Sequence, residues 1–291
     1  MTTHQALVLD RVLLDAALAF FWGGSGMVFV TAGGARARLL ATMRVPLLAS
    51  SSLAATAAIA ALPVQTAEIV SDWTSVFQAD VLTTVALHTE VGFSTVAGAI
   101  TSVALFGAVF AGYWRTAVAL AGLAICETVT RGHAAASFDL AGSARMTVDA
   151  IHVLSATAWV GALPPFLLLV AMSRIPELRR EAVVSMQRFS TLGHAAVALV
   201  LLSGATNTWL IVGRLSLHPN SPYQWKLLVK IAVALAMTCL AIANRYLIVP
   251  LNRNHPQTSR NVLMVGAALE IALGLLAFAL VASFGLEDPT A

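Results

Sequence analysis

The sequence has little charge. Asp, Glu, Lys and Arg make up 11% of its 291 residues, whereas they make up about a quarter of a typical soluble domain. Hydrophobic residues make up 58%, and the mean hydropathy is +0.83. A soluble globule of this size cannot bury that much apolar surface. The composition therefore excludes an ordinary water-soluble enzyme and predicts a protein whose solvent is the lipid bilayer.

Cysteine and the common enzyme motifs are also scarce or missing. The two cysteines, Cys126 and Cys239, lie in apolar runs outside any CxxC motif, which excludes a zinc ribbon and a thioredoxin motif. The sequence contains no GxxxxGK[ST], GxSxG or HExxH, so no P-loop ATPase and no hydrolase of those classes is expected. The net charge of only +3 is spread along short segments, and binding to nucleic acid is not expected.

Long apolar runs dominate what is present. A helix needs about 20 apolar residues to cross a bilayer, and about eight stretches qualify. The sequence thus predicts an all-α, polytopic integral membrane protein, with residues 1–291 forming a single transmembrane domain. The third stretch is expected to be tilted or broken near Gly92, and residues 64–80 are expected to form a short surface helix. The predicted spans are roughly 11–32, 45–63, 82–112, 116–134, 145–172, 189–213, 223–248 and 262–284.

The N-terminus and the loop charges give an expected orientation. The first apolar stretch lacks a basic segment before it and exceeds the usual ~7–15 residues of a signal-peptide core, so we interpret it as the first transmembrane helix. Loops 33–44, 173–188 and 245–260 each carry several arginines. Because cytoplasmic loops are enriched in Lys and Arg, we expect these loops inside and both termini outside.

Polar side chains within the predicted helices gather in one layer. Counting about 1.5 Å per residue from the outer helix ends places them in the outer third of the membrane. A charged side chain at membrane depth is costly unless paired or hydrated, so each is a candidate for function. The layer comprises Asp15, His88, Glu127, Asp149, His152, Asn207 and Lys230, with Glu90 and His133 close to the same level.

Three histidines of this layer lie on three successive predicted helices. Neutral imidazole binds copper, zinc, nickel and haem iron, carboxylates add oxygen ligands, and a methionine thioether suits Cu(I). Met146, Asp149 and His152 follow an i, i+3, i+6 pattern that places them roughly on one helix face. The predicted metal ligands of the layer are His88, His133, His152, Glu127, Asp149 and Met146.

Each of these polar residues can also have a purely structural role. A histidine in a membrane often bonds only to a neighbouring helix. Glu127 with Arg131, and Arg145 with Asp149, have the i, i+4 spacing of ion pairs within one helix. In either case the side chains would stabilise the bundle without binding a metal.

The N-terminus offers a separate metal site. Removal of Met1 would leave Thr2-Thr3-His4, in which the free amine, two backbone nitrogens and the His4 imidazole form a square-planar set. This set suits Cu(II) or Ni(II).

The second half of the sequence carries an ordered set of short motifs. They are Gly132–Ala135, Asp149–His152, Trp159–Leu163, Arg188–Ser190, Ser203–Trp209, Tyr223–Lys230, Asn244–Pro250, and Glu270 followed by Leu273-Gly274. In this order, over residues 130–285, the chain resembles the copper resistance protein D (CopD) family of bacterial inner-membrane proteins. Ala162 and Gln224 stand where glycines are expected.

The resemblance implies eight helices, a copper site facing the periplasm and a role in moving copper across the inner membrane. It also implies a multi-pass location in the bacterial inner membrane and a periplasmic copper-binding partner protein. With this location, the loop charges place both termini in the periplasm. The leading hypothesis is a protein that binds copper in the outer layer and moves it across the membrane. Ligands on the outer side favour import from the periplasm.

Two alternatives differ in class. In a b-type cytochrome, histidines on neighbouring helices hold haem b between two axial imidazoles. His88 with His152, or one of them with His194, would serve, and the protein would then move electrons. Unless that redox role holds, we expect no enzymatic activity. A scaffold for a periplasmic copper protein, without transport, predicts no metal in the membrane layer.

Overall fold

Helices make up nearly all of the structure. The computed structural model describes residues 1–130, 140–212, 221–251 and 256–284, and no strand occurs among them. Short 3-10 turns at Gly33–Ala35 and Trp73–Phe77 and a π-helical turn at Asn244–Ile248 join some of the helices. The helices are α1 (Thr3–Thr31), α2 (Arg36–Val70), α3 (Ala79–His88), α4 (Glu90–Phe110), α5 (Trp114–Val129), α6 (Leu140–Met172), α7 (Pro176–Val212), α8 (Pro222–Ala243), α9 (Val249–Leu251) and α10 (Pro256–Phe284).

The expected all-α polytopic architecture is confirmed. Within the described ranges, 7 helical segments are long and apolar enough to cross a membrane, and they contain α1, α2, α4, α6, α7, α8 and α10. The predicted span 116–134 corresponds to α5, which has 16 residues. That span runs on into residues 131–139, which lie outside the described part of the chain.

Residues 64–80 do not form the expected surface helix. Instead, α2 continues without interruption to Val70, with Pro46 and Pro63 in its interior, and the turn Trp73–Phe77 follows. Packing explains the extension, because Ala67 is fully buried and the Glu68 carboxylate lies 3.1 Å from His4 Nδ1 on α1. Contacts with α1 therefore stabilise the helical conformation of α2 as far as Val70, although the polar residues of this segment suggested a separate surface helix.

The third predicted span is broken as expected, at Thr89. The Thr89 hydroxyl oxygen accepts a hydrogen bond from Gly92 N at 2.9 Å and so caps α4. A side chain at Gly92 would place its Cβ 1.8 Å from the Val85 carbonyl oxygen of α3. The break therefore depends on a threonine cap and on a glycine that lets α3 approach.

Asp72 caps the turn that follows α2. Its carboxylate accepts hydrogen bonds from the Thr74 hydroxyl and from Thr74 N, the latter at 3.0 Å. These hydrogen bonds hold the pKa of Asp72 below its usual range. The cap is therefore ionised at neutral pH and is lost only as the pH falls into the acidic range.

The centre of the bundle is the crossing of α1 and α6. A Cβ added at Gly161 would lie 1.8 Å from the Ala19 carbonyl oxygen, and one at Gly23 would lie 2.6 Å from the Thr157 carbonyl oxygen. Only glycines permit this approach of the two backbones, which is typical of helix packing in membranes. The Trp22 indole N–H donates to the Leu154 carbonyl at 3.1 Å and joins the same two helices.

The remaining helices pack around this crossing. Helices α2, α5 and α10 contact α1, and α5, α7 and α10 contact α6, while α8 packs against α10. Phe21 of α1 is fully buried in this core. The position of a residue on α6 is thus fixed by the contact with α1.

Replacement of Gly161 by alanine tests the crossing. We expect Gly161→Ala to lower the melting temperature in mild detergent by several degrees, because overpacking of a tight contact costs about 1–3 kcal/mol. Differential scanning fluorimetry measures the shift. Gly107→Ala on α4 is the matched control, since a Cβ there meets no atom within 4 Å. Equal melting temperatures for the two variants would contradict the tight crossing.

Candidate functional site

His152 lies on α6 where this helix packs against α7. Its Nδ1 lies 3.2 Å from the Val200 carbonyl oxygen and 3.1 Å from Ser203 Oγ. The Ser203 hydroxyl itself donates to the Leu199 carbonyl, so its oxygen is left to accept. A carbonyl oxygen can only accept, and Nδ1 therefore carries the ring proton. Nε2 then keeps its lone pair, which is the tautomer of a metal-binding histidine oriented by a backbone carbonyl.

Gly204 of α7 gives the imidazole its space. A Cβ added at Gly204 would lie 3.1 Å from His152 Cε1 and 3.4 Å from His152 Nδ1. A larger residue would push the ring away from α7 and weaken the two contacts of Nδ1.

Asp149 joins three helices in the same region. Its Oδ1 accepts a hydrogen bond from Asn207 Nδ2 of α7 at 3.1 Å. Lys230 of α8 attracts the Asp149 carboxylate and lies within electrostatic range of His152. We call Asp149, His152, Ser203, Asn207 and Lys230 the His152 cluster. Its carboxylate and ammonium offset each other, which lowers the cost of placing either charge at this depth.

The other members of the predicted layer lie elsewhere. Glu127 Oε1 accepts a hydrogen bond from the Thr101 hydroxyl at 2.9 Å, and Glu127 Oε2 is buried without a partner among the described residues. His88 is exposed at the last residue of α3. Met146 is half-buried on α6, nearly two turns before His152.

Part of the predicted metal site lies outside the residues that the structure describes. His133, and Arg131 as the expected partner of Glu127, lie outside the described residues. Among those that are described, no three His, Cys, Asp or Glu side chains are placed to hold a metal ion together. A joint site of His88, His133 and His152 therefore stays a prediction.

His4 makes a different contact from the one the metal hypothesis needs. Helix α1 begins at Thr3, and Thr2 and Gln5 form a capping box at its start. The His4 imidazole bonds to Glu68 of α2, 3.1 Å away. A square-planar copper set would require the first turn of α1 to unwind, and this site stays a prediction.

His194 has partners on both ring nitrogens. Nδ1 lies 2.5 Å from the Ser190 carbonyl oxygen and Nε2 lies 3.2 Å from the Tyr246 hydroxyl. An axial bond to haem would require His194 to give up one of these contacts. In the described structure, no contact joins His194 to His152 or to His88.

Glu270 forms a second buried cluster, which the sequence did not reveal. Its side chain is 3% exposed and accepts hydrogen bonds from Asn244 Nδ2, at 2.9 Å, and from the Trp159 indole. We call Trp159, Asn244 and Glu270 the Glu270 cluster. All three residues belong to the ordered motifs, and this was the only feature of the sequence that connected them. Nothing in their spacing indicated that they would contact one another.

A double-mutant cycle tests the pairing of Asp149 with Lys230. Asp149→Asn and Lys230→Met each leave one charge without its partner, and we expect losses of about 3–5 kcal/mol. The double variant should lose clearly less than the sum, because it leaves neither charge behind. Melting temperatures in detergent report the losses.

Lys226→Met is the matched control for that cycle. Lys226 lies one turn before Lys230 on α8, but Lys230 is the lysine that attracts the Asp149 carboxylate. Its effect should add to that of Asp149→Asn within about 0.5 kcal/mol. Additivity for Lys230→Met as well would show that the two charges are not coupled.

Two family models match the chain. The model for the copper resistance protein D-like N-terminal domain matches residues 1–146, and the model for copper resistance protein D matches residues 183–284. The N-terminal match shows that the first half of the chain also resembles this family, although the ordered motifs lie only in the second half.

Three relatives are similar to parts of the chain. The inner membrane protein YebZ of Escherichia coli is 31% identical over 160 residues, 54% of each chain. Copper resistance protein D of Pseudomonas syringae pv. tomato is 29% identical over 178 residues, which are 58% of this chain and 57% of that protein. Copper transport protein CutJ of Bacillus subtilis is 27% identical over 243 residues, 79% of this chain and 44% of that protein.

The matches extend over limited lengths but agree on one family. The chain spans about half the length of the curated relatives it matches, and no solved structure matches it. The N-terminal model covers half of the chain, and the membrane-spanning helices agree with a multi-pass location in the bacterial inner membrane. This chain therefore belongs to the copper resistance protein D family.

Proposed function

We propose that the chain binds copper in the outer half of its helix bundle and moves it from the periplasm across the inner membrane. The single observation that carries this proposal is the contact of His152 Nδ1 with the Val200 carbonyl oxygen, 3.2 Å away, which favours one tautomer of the ring. Its Nδ1 donates to the Val200 carbonyl, and Nε2 is left with a lone pair for a metal. The names of two relatives, a copper resistance protein and a copper transport protein, support copper as the metal.

The chemistry around His152 favours Cu(I). A singly charged, soft ion suits a neutral imidazole and a methionine thioether, which Met146 on the same helix would supply. The Asp149 carboxylate is already offset by Lys230, so the cluster offers little net negative charge for a doubly charged ion. His133 is the further imidazole that the predicted layer offers, whereas Glu127 bonds to Thr101 in another part of the bundle.

The proposed route enters at the periplasmic end of the bundle. His88 is exposed at the end of α3, just before the break at Thr89, and so offers copper a first imidazole. The α3 segment and the turn Trp73–Phe77 would form the face that receives copper from a periplasmic copper-binding protein. The direction of movement rests on the position of these ligands and on the arginine-rich loops of the opposite side.

Copper titration of the purified protein tests the site. We expect His152→Ala to abolish stoichiometric Cu(I) binding in an anaerobic competition with a chromophoric chelator. Ser203→Ala should weaken binding by about 10–100-fold, because it removes a group that orients the imidazole. Thr206→Ala is the matched control, since its hydroxyl is exposed and bonds only to Leu202 of its own helix at 2.9 Å.

The absorption spectrum of the same samples separates copper from haem. A Soret band that moves on reduction, with stoichiometric iron, would overturn the copper proposal in favour of a b-type cytochrome. Cu(I) binding that is equal in the wild type and in His152→Ala would place the metal elsewhere, and no binding by either protein would favour the scaffold.

Copper accumulation tests transport and its direction. We expect right-side-out membrane vesicles containing the wild type to accumulate copper faster than vesicles without it. His88→Ala and His152→Ala should reduce the initial rate to the background, since each removes a ligand of the route. Thr206→Ala at equal expression serves as the control. Accumulation in inverted vesicles alone would show export and contradict import.

A further inference from the structure

A cavity opens between helices of the bundle and extends from the end opposite the His152 cluster as far as Leu201, in the turn of α7 that contacts His152. It has a volume of about 460 Å³ and lies between α6, α7, α8 and α10. Helix α7 packs on α6 and α8 packs on α10, while α10 itself packs on α6, so α7 and α8 form walls of the cavity that α6 and α10 join. The volume falls within the range of about 300–1,000 Å³ that is typical of small-molecule sites.

The walls of the cavity are mostly apolar. Phe166 of α6 stacks on Phe189 of α7 with ring centroids 4.8 Å apart, and both line the space. Gly193 lines it as well, and a Cβ added there would meet no atom within 4 Å. Further apolar lining residues are Leu163, Val197, Leu201, Ile242 and Leu263.

Three arginines line the same cavity. Arg260 Nε is buried without a hydrogen-bond partner in the described structure, while its Nη2 donates to Gln257 at 3.0 Å. Arg179 Nε donates to the Ser173 carbonyl at 3.2 Å, and Arg245 has no hydrogen bond to a described residue. None of the three guanidinium groups forms a salt bridge with a carboxylate among the residues that the structure describes.

One carboxylate also lines the cavity. It belongs to Glu270, and it accepts hydrogen bonds from Asn244 and Trp159. With three arginines against this single acid, the charge of the lining is positive. The arginine-rich end is the one that the charge distribution of the loops places at the cytoplasmic surface.

We propose that this cavity binds one anionic phospholipid of the cytoplasmic leaflet. The headgroup phosphate pairs with Arg245 and Arg260, and an acyl chain occupies the apolar space between α7 and α8. Basic pockets between transmembrane helices on the cytoplasmic side suit such lipids, because guanidinium groups meet the phosphate while the chain stays in an apolar environment. The lipid would also fill the space between α7 and α8.

Lipid retention by the purified protein tests the site. The wild type is exchanged into nanodiscs of equal phosphatidylglycerol and phosphatidylethanolamine with identical chains, then extracted and examined by native mass spectrometry. We expect about one phosphatidylglycerol per chain, retained in preference to phosphatidylethanolamine. The double variant Arg245→Gln/Arg260→Gln should reduce that preference by about fivefold or more for each arginine removed.

Two further variants separate the headgroup from the chain. Gly193→Leu should abolish retention of both lipids, because its Cβ meets no atom within 4 Å and its side chain would extend into the cavity. Arg174→Gln/Arg180→Gln is the matched control, since both residues lie exposed at the same end of the bundle outside the cavity lining. It should retain phosphatidylglycerol as the wild type does. Melting temperatures identify any variant that fails to fold. If the double arginine variant fails to fold, Gly193→Leu still tests the proposal.

Competition with soluble anions distinguishes a lipid from a free phosphate. We expect excess inorganic phosphate or glycerol phosphate to leave the bound phosphatidylglycerol in place, because neither offers an acyl chain. Displacement by inorganic phosphate would reduce the site to a simple anion site and overturn the proposal. Equal retention of the two lipids, or unchanged retention in Gly193→Leu, would overturn it as well.

Discussion

The contact of α1 with α6 at Gly23 and Gly161 determines where the other helices lie. Lipid is as apolar as the helix surfaces, so helices in a membrane gain little from the hydrophobic effect and associate through close packing. Here the two backbones approach until no Cβ fits between them. This contact therefore fixes the positions of the helices that pack on α1 and of those that pack on α6. It also fixes the position of His152 on α6 relative to both sets of helices.

Much of the fold follows from the sequence because the bilayer sets a length scale. Most predicted spans correspond to long helices, and the expected break in the third span occurs at Thr89. The end of α2 could not be predicted, because it depends on the contact of Glu68 with His4, 64 residues away in the chain. A polar segment that pairs with another helix has the same composition as one that lies in water.

The sequence predicts the depth of the candidate site residues in the membrane but not their lateral position. Counting along helices placed Asp149, His152, Asn207 and Lys230 at one level, and these residues are in fact neighbours. The same count placed Glu127 there, yet Glu127 bonds to Thr101 in another part of the bundle. Depth follows from a one-dimensional rise per residue, whereas lateral position depends on which helices pack together.

The position of α6 between the two matched segments limits how chimaeras of related proteins can be made. Residues 147–182 lie between the segments that the two family models match, yet they include Asp149, His152, Trp159 and Gly161. A chimaera joined at residue 146 would cut α6 between Met146 and Asp149 and would combine an α1 and an α6 that were never fitted to each other. The two matched segments can therefore be told apart in the sequence, but they cannot be exchanged independently between relatives. Both segments pack on α6, the helix that lies between them.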